Sequence, residues 1–149
     1  MRPDSVERIA ETGVIAILRG VSVEDAPDVA AAVTEGGVAA LEITADTPNV
    51  TAAIEAVADR VDAAVGVGTV LDAETARAAQ LAGAEFVVTP TVNRAVIRTA
   101  NRYGTPIAAG AYTPTEALDA FEAGAGFVKA FPAENRGPGH ARAPGRPPP

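Results

Sequence analysis

Six short apolar runs, each separated from the next by a longer amphipathic stretch, constrain this chain more than any single residue does. The runs are Gly13–Leu18, Ala39–Thr44, Ala63–Val67, Phe86–Thr89, Ile107–Ala109 and Phe127–Phe131. Their centres recur about every 20–26 residues, which suits one strand, one helix and two short loops. None alternates polar with apolar residues, so the runs are expected to be strands buried on both faces, as in a parallel sheet.

Helix punctuation fills the intervals. An N-terminal helix is expected over Asp4 to Glu11. Ser22, with Asp25 three residues later, reads as an N-cap, and Gly36-Gly37 closes that helix. Thr47 reads as the next cap, with Pro48 at the first helical position. Asp72 opens a helix that ends at Gly83. Another helix is expected from about Val92 to Tyr103, stopped by Gly104. Thr113-Pro114-Thr115-Glu116 has the form of a capping box, and Gly124 ends the helix it starts.

A repeated βα unit leaves two architectures, an open doubly wound sheet or a (β/α)₈ barrel. A dinucleotide-binding sheet needs a glycine-rich turn after its first strand, and Arg19-Gly20-Val21-Ser22 offers one glycine. Gly66-Val67-Gly68-Thr69 lacks the third glycine and follows the third strand. The expected fold is therefore an α/β barrel of the TIM type, with six of its eight βα units in residues 1–135. The remaining segment, 136–149, is dominated by Pro, Gly, Arg and Ala and carries no strand-like run. It is expected to be an irregular tail. A natural flexible tail has this composition, and so does GC-rich DNA read in a shifted frame; the missing strands favour the second.

Composition narrows the function classes. Hydrophobic residues make up 48% of the 149, and the formal net charge is −7. That balance argues against wholesale disorder and disfavours nucleic acid and anionic membranes, since phosphate binding needs clustered basic residues. Cysteine is absent and His140 is the only histidine. Thiolate chemistry, disulfides and a His-rich metal site are thereby excluded. No apolar run reaches the roughly 18–20 residues of a membrane span, and the first residues lack a signal-peptide core, so a cytoplasmic location is expected. Of twelve basic side chains, eleven are arginine. Arginine in place of lysine on an acidic background resembles haloarchaeal proteins and points to a salty cytoplasm.

The one lysine, Lys129, falls within the last apolar run. A desolvated lysine suits Schiff-base chemistry, because only the neutral amine attacks a carbonyl. The plainer reading is a stem that snorkels to the surface. Barrel active sites gather at the C-terminal ends of the strands. There the sequence places Arg19, Glu42, Thr69, Thr89-Pro90, Lys129 and Phe131. Glu42, between Leu41 and Ile43, needs a partner or a raised pKa and could then shuttle protons. Its structural alternative is an ion pair with Lys129. Arg19 could clamp a carboxylate with two hydrogen bonds, or be a solvated strand-end charge. Thr69 could offer its hydroxyl to an anion, or simply cap a helix.

Taken together, Gly13-Val-Ile-Ala-Ile-Leu-Arg19, Gly37-Val-Ala-Ala-Leu-Glu-Ile-Thr44, Gly66-Val-Gly-Thr-Val-Leu71, Gly83-Ala-Glu-Phe-Val-Val-Thr-Pro90, Thr113-Pro-Thr-Glu116 and Val128-Lys-Ala-Phe-Pro-Ala-Glu134 resemble the 2-keto-3-deoxy-6-phosphogluconate (KDPG) and 4-hydroxy-2-oxoglutarate (KHG) aldolases. The resemblance implies a class I aldolase cleaving the phosphogluconate to pyruvate and glyceraldehyde 3-phosphate. Lys129 would form the Schiff base and Glu42 would be the general acid/base. Arg19 and Thr69 would hold the keto-acid carboxylate, with Thr89, Pro90 and Phe131 as further substrate-binding positions. It implies no metal or organic cofactor, and a homotrimer. Two features depart from the family pattern. Asp46 stands where some members carry a carboxylate-binding arginine, and the phosphate-binding loops after strands seven and eight have no counterpart. The galactonate epimer and 4-hydroxy-2-oxoglutarate are alternative substrates. The other readings are a truncated, non-catalytic fragment and a phosphate-binding barrel whose lysine imine serves a synthase.

Overall fold

The computed structural model describes residues 4–134 together with 137 and 138. Twelve elements alternate in chain order: α1 (Asp4–Thr12), β1 (Ala16–Leu18), α2 (Ala26–Glu35), β2 (Ala40–Thr44), α3 (Val50–Arg60), β3 (Ala64–Gly68), α4 (Ala73–Leu81), β4 (Phe86–Thr89), α5 (Arg94–Arg102), β5 (Ile107–Ala111), α6 (Pro114–Glu122) and β6 (Phe127–Ala130). The strands form one sheet in sequential order, every neighbouring pair parallel. Short apolar strands joined by crossover helices admit little else, since a parallel connection has to carry the chain back along the sheet. The expected tail lies outside the described residues apart from 137 and 138.

Side chains alternate across each strand and so divide the sheet into two faces. Leu18, Leu41, Ile43, Val65, Val67, Val87, Ile107 and Ala109 pack with Ala30, Ile54, Val57, Ala79, Val96, Ile97 and Ala120 of the helices. Ile54 and Ile97 are fully buried there, each stabilising the layer by about 1.5–3 kcal/mol. The opposite, inner face holds a smaller cluster of Ala40, Ala64, Phe86 and Val88, joined by Ile9 and Ile15. Small residues make room for the Phe86 ring, which lies so close that an added Cβ at Gly66 would clash with it.

Helix α1 closes one end of this inner face. Arg8 pairs with Asp62 at 2.7 Å, just before β3, and the Ser5 hydroxyl donates to the Glu85 carbonyl at 3.5 Å, just before β4. Both contacts lie at the N-terminal ends of the strands. At the C-terminal ends, Pro90, Gly110, Phe131 and Pro132 border an open cavity.

Three expectations need correction. Strands β2, β3 and β4 are buried throughout, but β1 and β6 are not: Ile17 is 56% exposed and Phe127 46%. They lie at the two ends of the described sheet, each with one neighbouring strand instead of two. Ser22 does not cap α2; its hydroxyl bonds the amide and carboxylate of Asp25 and closes a turn before the helix. Thr47 does not cap α3. It is buried against Thr44, hydroxyl to hydroxyl at 3.4 Å, and Asn49, in a left-handed conformation, precedes the helix. By contrast, Asp72 caps α4, and Thr113 with Glu116 makes the full capping box of α6.

Candidate active site

Glu42 occupies the middle of β2, in register with Ile17 on one side and Gly66 on the other. It is 4% exposed. Its carboxyl reaches across the neighbouring strand to Gly68, where an added Cβ would sit 2.6 Å from Cδ and 3.1 Å from Oε2. The glycine is therefore a steric requirement of the carboxyl's position. Burial drives the Glu42 pKa above its ordinary 4.5, against the opposing charges of Lys129 and then Arg19. Both cations act on Glu42 through space. The alternative Glu42–Lys129 ion pair is not formed among the described residues.

Lys129 stands on β6, in register with Gly110 of β5. It is partly buried, between the exposed Val128 and Ala130. The expectation of a lysine enclosed on both faces is thus corrected, for the reason already given for β6. Two residues on, along the same strand direction, the Phe131 ring lies beneath the ammonium, with Nζ 4.6 Å from its centroid. The ring provides a weakly attractive platform without a neutralising carboxylate.

Arg19, one residue beyond β1, is held from two other strand ends. Its Nη1 donates to both carboxylate oxygens of Asp46, at 3.2 and 3.0 Å, and its Nη2 donates to the Thr69 hydroxyl at 3.1 Å. The Arg19 and Asp46 side chains are each more than half exposed. Asp46 is kept below the ordinary carboxylate range by the Thr44 hydroxyl, then by its own backbone amide and by Arg19. Thr69 does not cap a helix: α4 starts four residues later behind Asp72, while Thr69 has φ +58°. For a residue with a Cβ that left-handed conformation costs about 1–2 kcal/mol.

The other two positions differ from each other. Thr89 is fully buried and donates its hydroxyl to the Thr91 carbonyl at 2.7 Å. It pairs with Ala109, a residue of the helix-covered layer. The fold thus turns the Thr89 side chain away from the inner face. Pro90 and Phe131 share an open cavity of about 260 Å³ with Gly110, Tyr112 and Glu116. The Glu116 carboxylate is occupied by the amides of Tyr112 and Thr113 and the Thr113 hydroxyl, which hold it below the usual range.

Sequence reasoning missed two contributors. Asp46 was legible as a departure at its position but not as the partner of Arg19, 27 residues earlier. Gly68 was visible in the Gly-x-Gly-Thr run, yet its function depends on a side chain of the adjacent strand. Among the described residues no group of three His, Cys, Asp or Glu side chains converges as a metal site would need. Nor is any described helix long and apolar enough to cross a membrane.

A buried carboxyl of raised pKa, an amine on a facing strand and a guanidinium at the same open end can together carry out proton transfer, carbonyl attack and carboxylate binding. Comparison with known proteins places the chain in a family. The aldolase family model described as KDPG and KHG aldolase matches residues 6–141. A 2-dehydro-3-deoxy-6-phosphogalactonate aldolase of Escherichia coli K12 is 39% identical over 131 residues, covering 87% of this chain and 64% of its own. The 2-keto-3-deoxy-6-phosphogluconate aldolase of Zymomonas mobilis ZM4, solved with 3-phosphoglycerate, superposes with a TM-score of 0.87 at 29% identity, over 96% of this chain and 69% of that one. A KDPG aldolase from Legionella pneumophila, with pyruvate captured at low pH as a covalent carbinolamine, matches with a TM-score of 0.80 at 27% identity, over 87% and 64%. The chain spans 61–64% of the length of the first curated relatives it matches.

Proposed function

The chain belongs to the KDPG and KHG aldolase family, and from that premise we propose that it carries the imine-forming half of a class I aldolase site acting on 2-keto-3-deoxy-6-phosphogluconate. The observation that carries the reading is Glu42: a carboxyl buried on the inner face, fitted over Gly68, with its ionisation opposed by burial and favoured by the Lys129 charge. A carboxyl whose ionisation is opposed by burial and favoured by a nearby cation can both give and take a proton.

In this mechanism the Lys129 amine attacks the keto carbon, and Glu42 delivers a proton to the oxygen to give a carbinolamine. Loss of water leaves the protonated imine. Glu42, now a carboxylate, takes the proton from the hydroxyl on the far carbon of the scissile bond, the carbon β to the imine. As that bond breaks, its electron pair passes into the imine, giving an enamine and glyceraldehyde 3-phosphate. Protonation of the enamine carbon and addition of water release pyruvate and restore the amine. Arg19 and Thr69 hold the carboxylate, while Pro90 and Phe131 border the bound chain and Thr89 fixes the turn behind Pro90. No metal or organic cofactor enters any step. The full assembly is proposed to be a cytoplasmic homotrimer, in a salt-rich cytoplasm by the arginine-rich composition. The galactonate epimer is the alternative substrate favoured by the E. coli relative, and 4-hydroxy-2-oxoglutarate the one favoured by the family description.

A second reading, a non-catalytic chain, rests on Lys129, which is only partly buried between the exposed Val128 and Ala130. Incubation with pyruvate and borohydride, followed by peptide mass spectrometry, tests the proposal. A reduced adduct at Lys129, absent in Lys129→Met, is expected. A folded chain that gains no adduct would favour the non-catalytic reading.

A further inference from the structure

We propose that Asp46 is a positioning residue for Arg19, holding the guanidinium together with Thr69 so that its Nε edge stays free to bind a substrate carboxylate. The inference rests on the reading of Arg19 as a carboxylate ligand and adds the group that aims it. A guanidinium presents five N–H donors in a fixed plane, and a carboxylate is bound best through two of them on one edge. Asp46 is engaged by Nη1 alone, at 3.2 and 3.0 Å, and Thr69 by Nη2 at 3.1 Å. Among the described residues Nε has no partner. Nε and one hydrogen of Nη2 are therefore left to donate to a ligand.

Three observations make the arrangement more than a surface ion pair. Asp46 and Thr69 approach Arg19 from the ends of two different strands, which fixes the guanidinium plane as well as its distance. Thr69 adopts φ +58° at the point where its hydroxyl meets Arg19, a backbone cost that the contact helps offset. Arg19 also acts electrostatically on the Glu42 carboxyl, so it sits beside the reacting face.

The test uses lactate, which carries the carboxylate but no ketone, and follows the Arg19 Nε–H resonance by NMR in the whole chain. Lactate is expected to shift that resonance in the wild type. Asp46→Ala should weaken lactate binding about three- to fivefold, the scale of a half-exposed charge pair, with Asp46→Asn between the two. Circular dichroism should show all three equally folded, since Asp46 is 56% exposed. Equal or tighter lactate binding by Asp46→Ala would make Asp46 a competitor for Arg19 and overturn the proposal. So would an Arg19 resonance unmoved by saturating lactate. Pyruvate trapping is read separately: lactate binding without a trapped adduct would end the imine reading while leaving the role of Asp46 supported.

Discussion

Gly68→Ala is the substitution that best separates the site from the fold. The added Cβ would stand 2.6 Å from Cδ of Glu42 and 3.1 Å from Oε2, and closer still to Oε1. Ordinary contact between such atoms begins near 3.5 Å, so the carboxyl must retreat by about 1 Å. The yielding group is the end of a long side chain beside an open strand end, so the cost to folding should be at the low end of the roughly 1–3 kcal/mol seen for overpacking. Part of that is recovered, because alanine has less backbone freedom to lose than glycine, by about 0.4–1 kcal/mol. Catalysis has no such relief: an ångström of displacement can cost on the order of 100-fold. The assay is exchange of the pyruvate methyl protons with D2O, followed by NMR, which requires the enamine and a positioned acid/base. The variant should melt within a few degrees of the wild type and exchange about 100-fold more slowly. Wild-type exchange by a folded Gly68→Ala chain would refute the claim that Glu42 must lie over residue 68 to work.

Glu42→Gln should still bind pyruvate but lose turnover by roughly 10²–10⁴-fold, the usual contribution of a general acid/base. Its stability should also respond differently to pH. The folded-state pKa of Glu42 lies above the ordinary 4.5, so the folded chain holds this proton longer than the unfolded one. Stability from this group is complete below about pH 4.5 and declines as pH rises through the folded value. Urea unfolding should show that decline in the wild type and a flatter profile in the variant; parallel profiles would contradict it. Asn93→Ala removes the side chain that accepts from the Ala95 and Val96 amides at 3.0 and 3.2 Å and donates to the Leu71 carbonyl at 2.8 Å. A loss of about 1–2 kcal/mol is expected from the cap and its loop tie together, measured by urea unfolding.

The repeat that was legible in the sequence became six strands in chain order, because strand and helix periodicities are local and the right-handed crossover leaves few ways to assemble them. Caps were read correctly where the side chain serves its own helix, as at Asp72 and Thr113. They were misread at Ser22 and Thr47, where the hydroxyl is claimed by Asp25 or by Thr44. The same division runs through the site. Glu42 stood out because an acid inside an apolar run is costly wherever the run folds. Thr89 looked equivalent to its neighbours at the strand ends, but strand alternation turns it to the helix side.

By itself, the sequence determined the βα order, the burial of Glu42 and the family to which the motifs belong, all carried by residue type and spacing along the chain. Only the tertiary structure decided that Gly68 cradles Glu42, that Asp46 and Thr69 hold Arg19, and that β6 leaves Lys129 partly open. These depend on which strands lie side by side and where the sheet has an edge. Contacts of that kind join residues 26 to 50 positions apart, and no local pattern encodes a distance across strands.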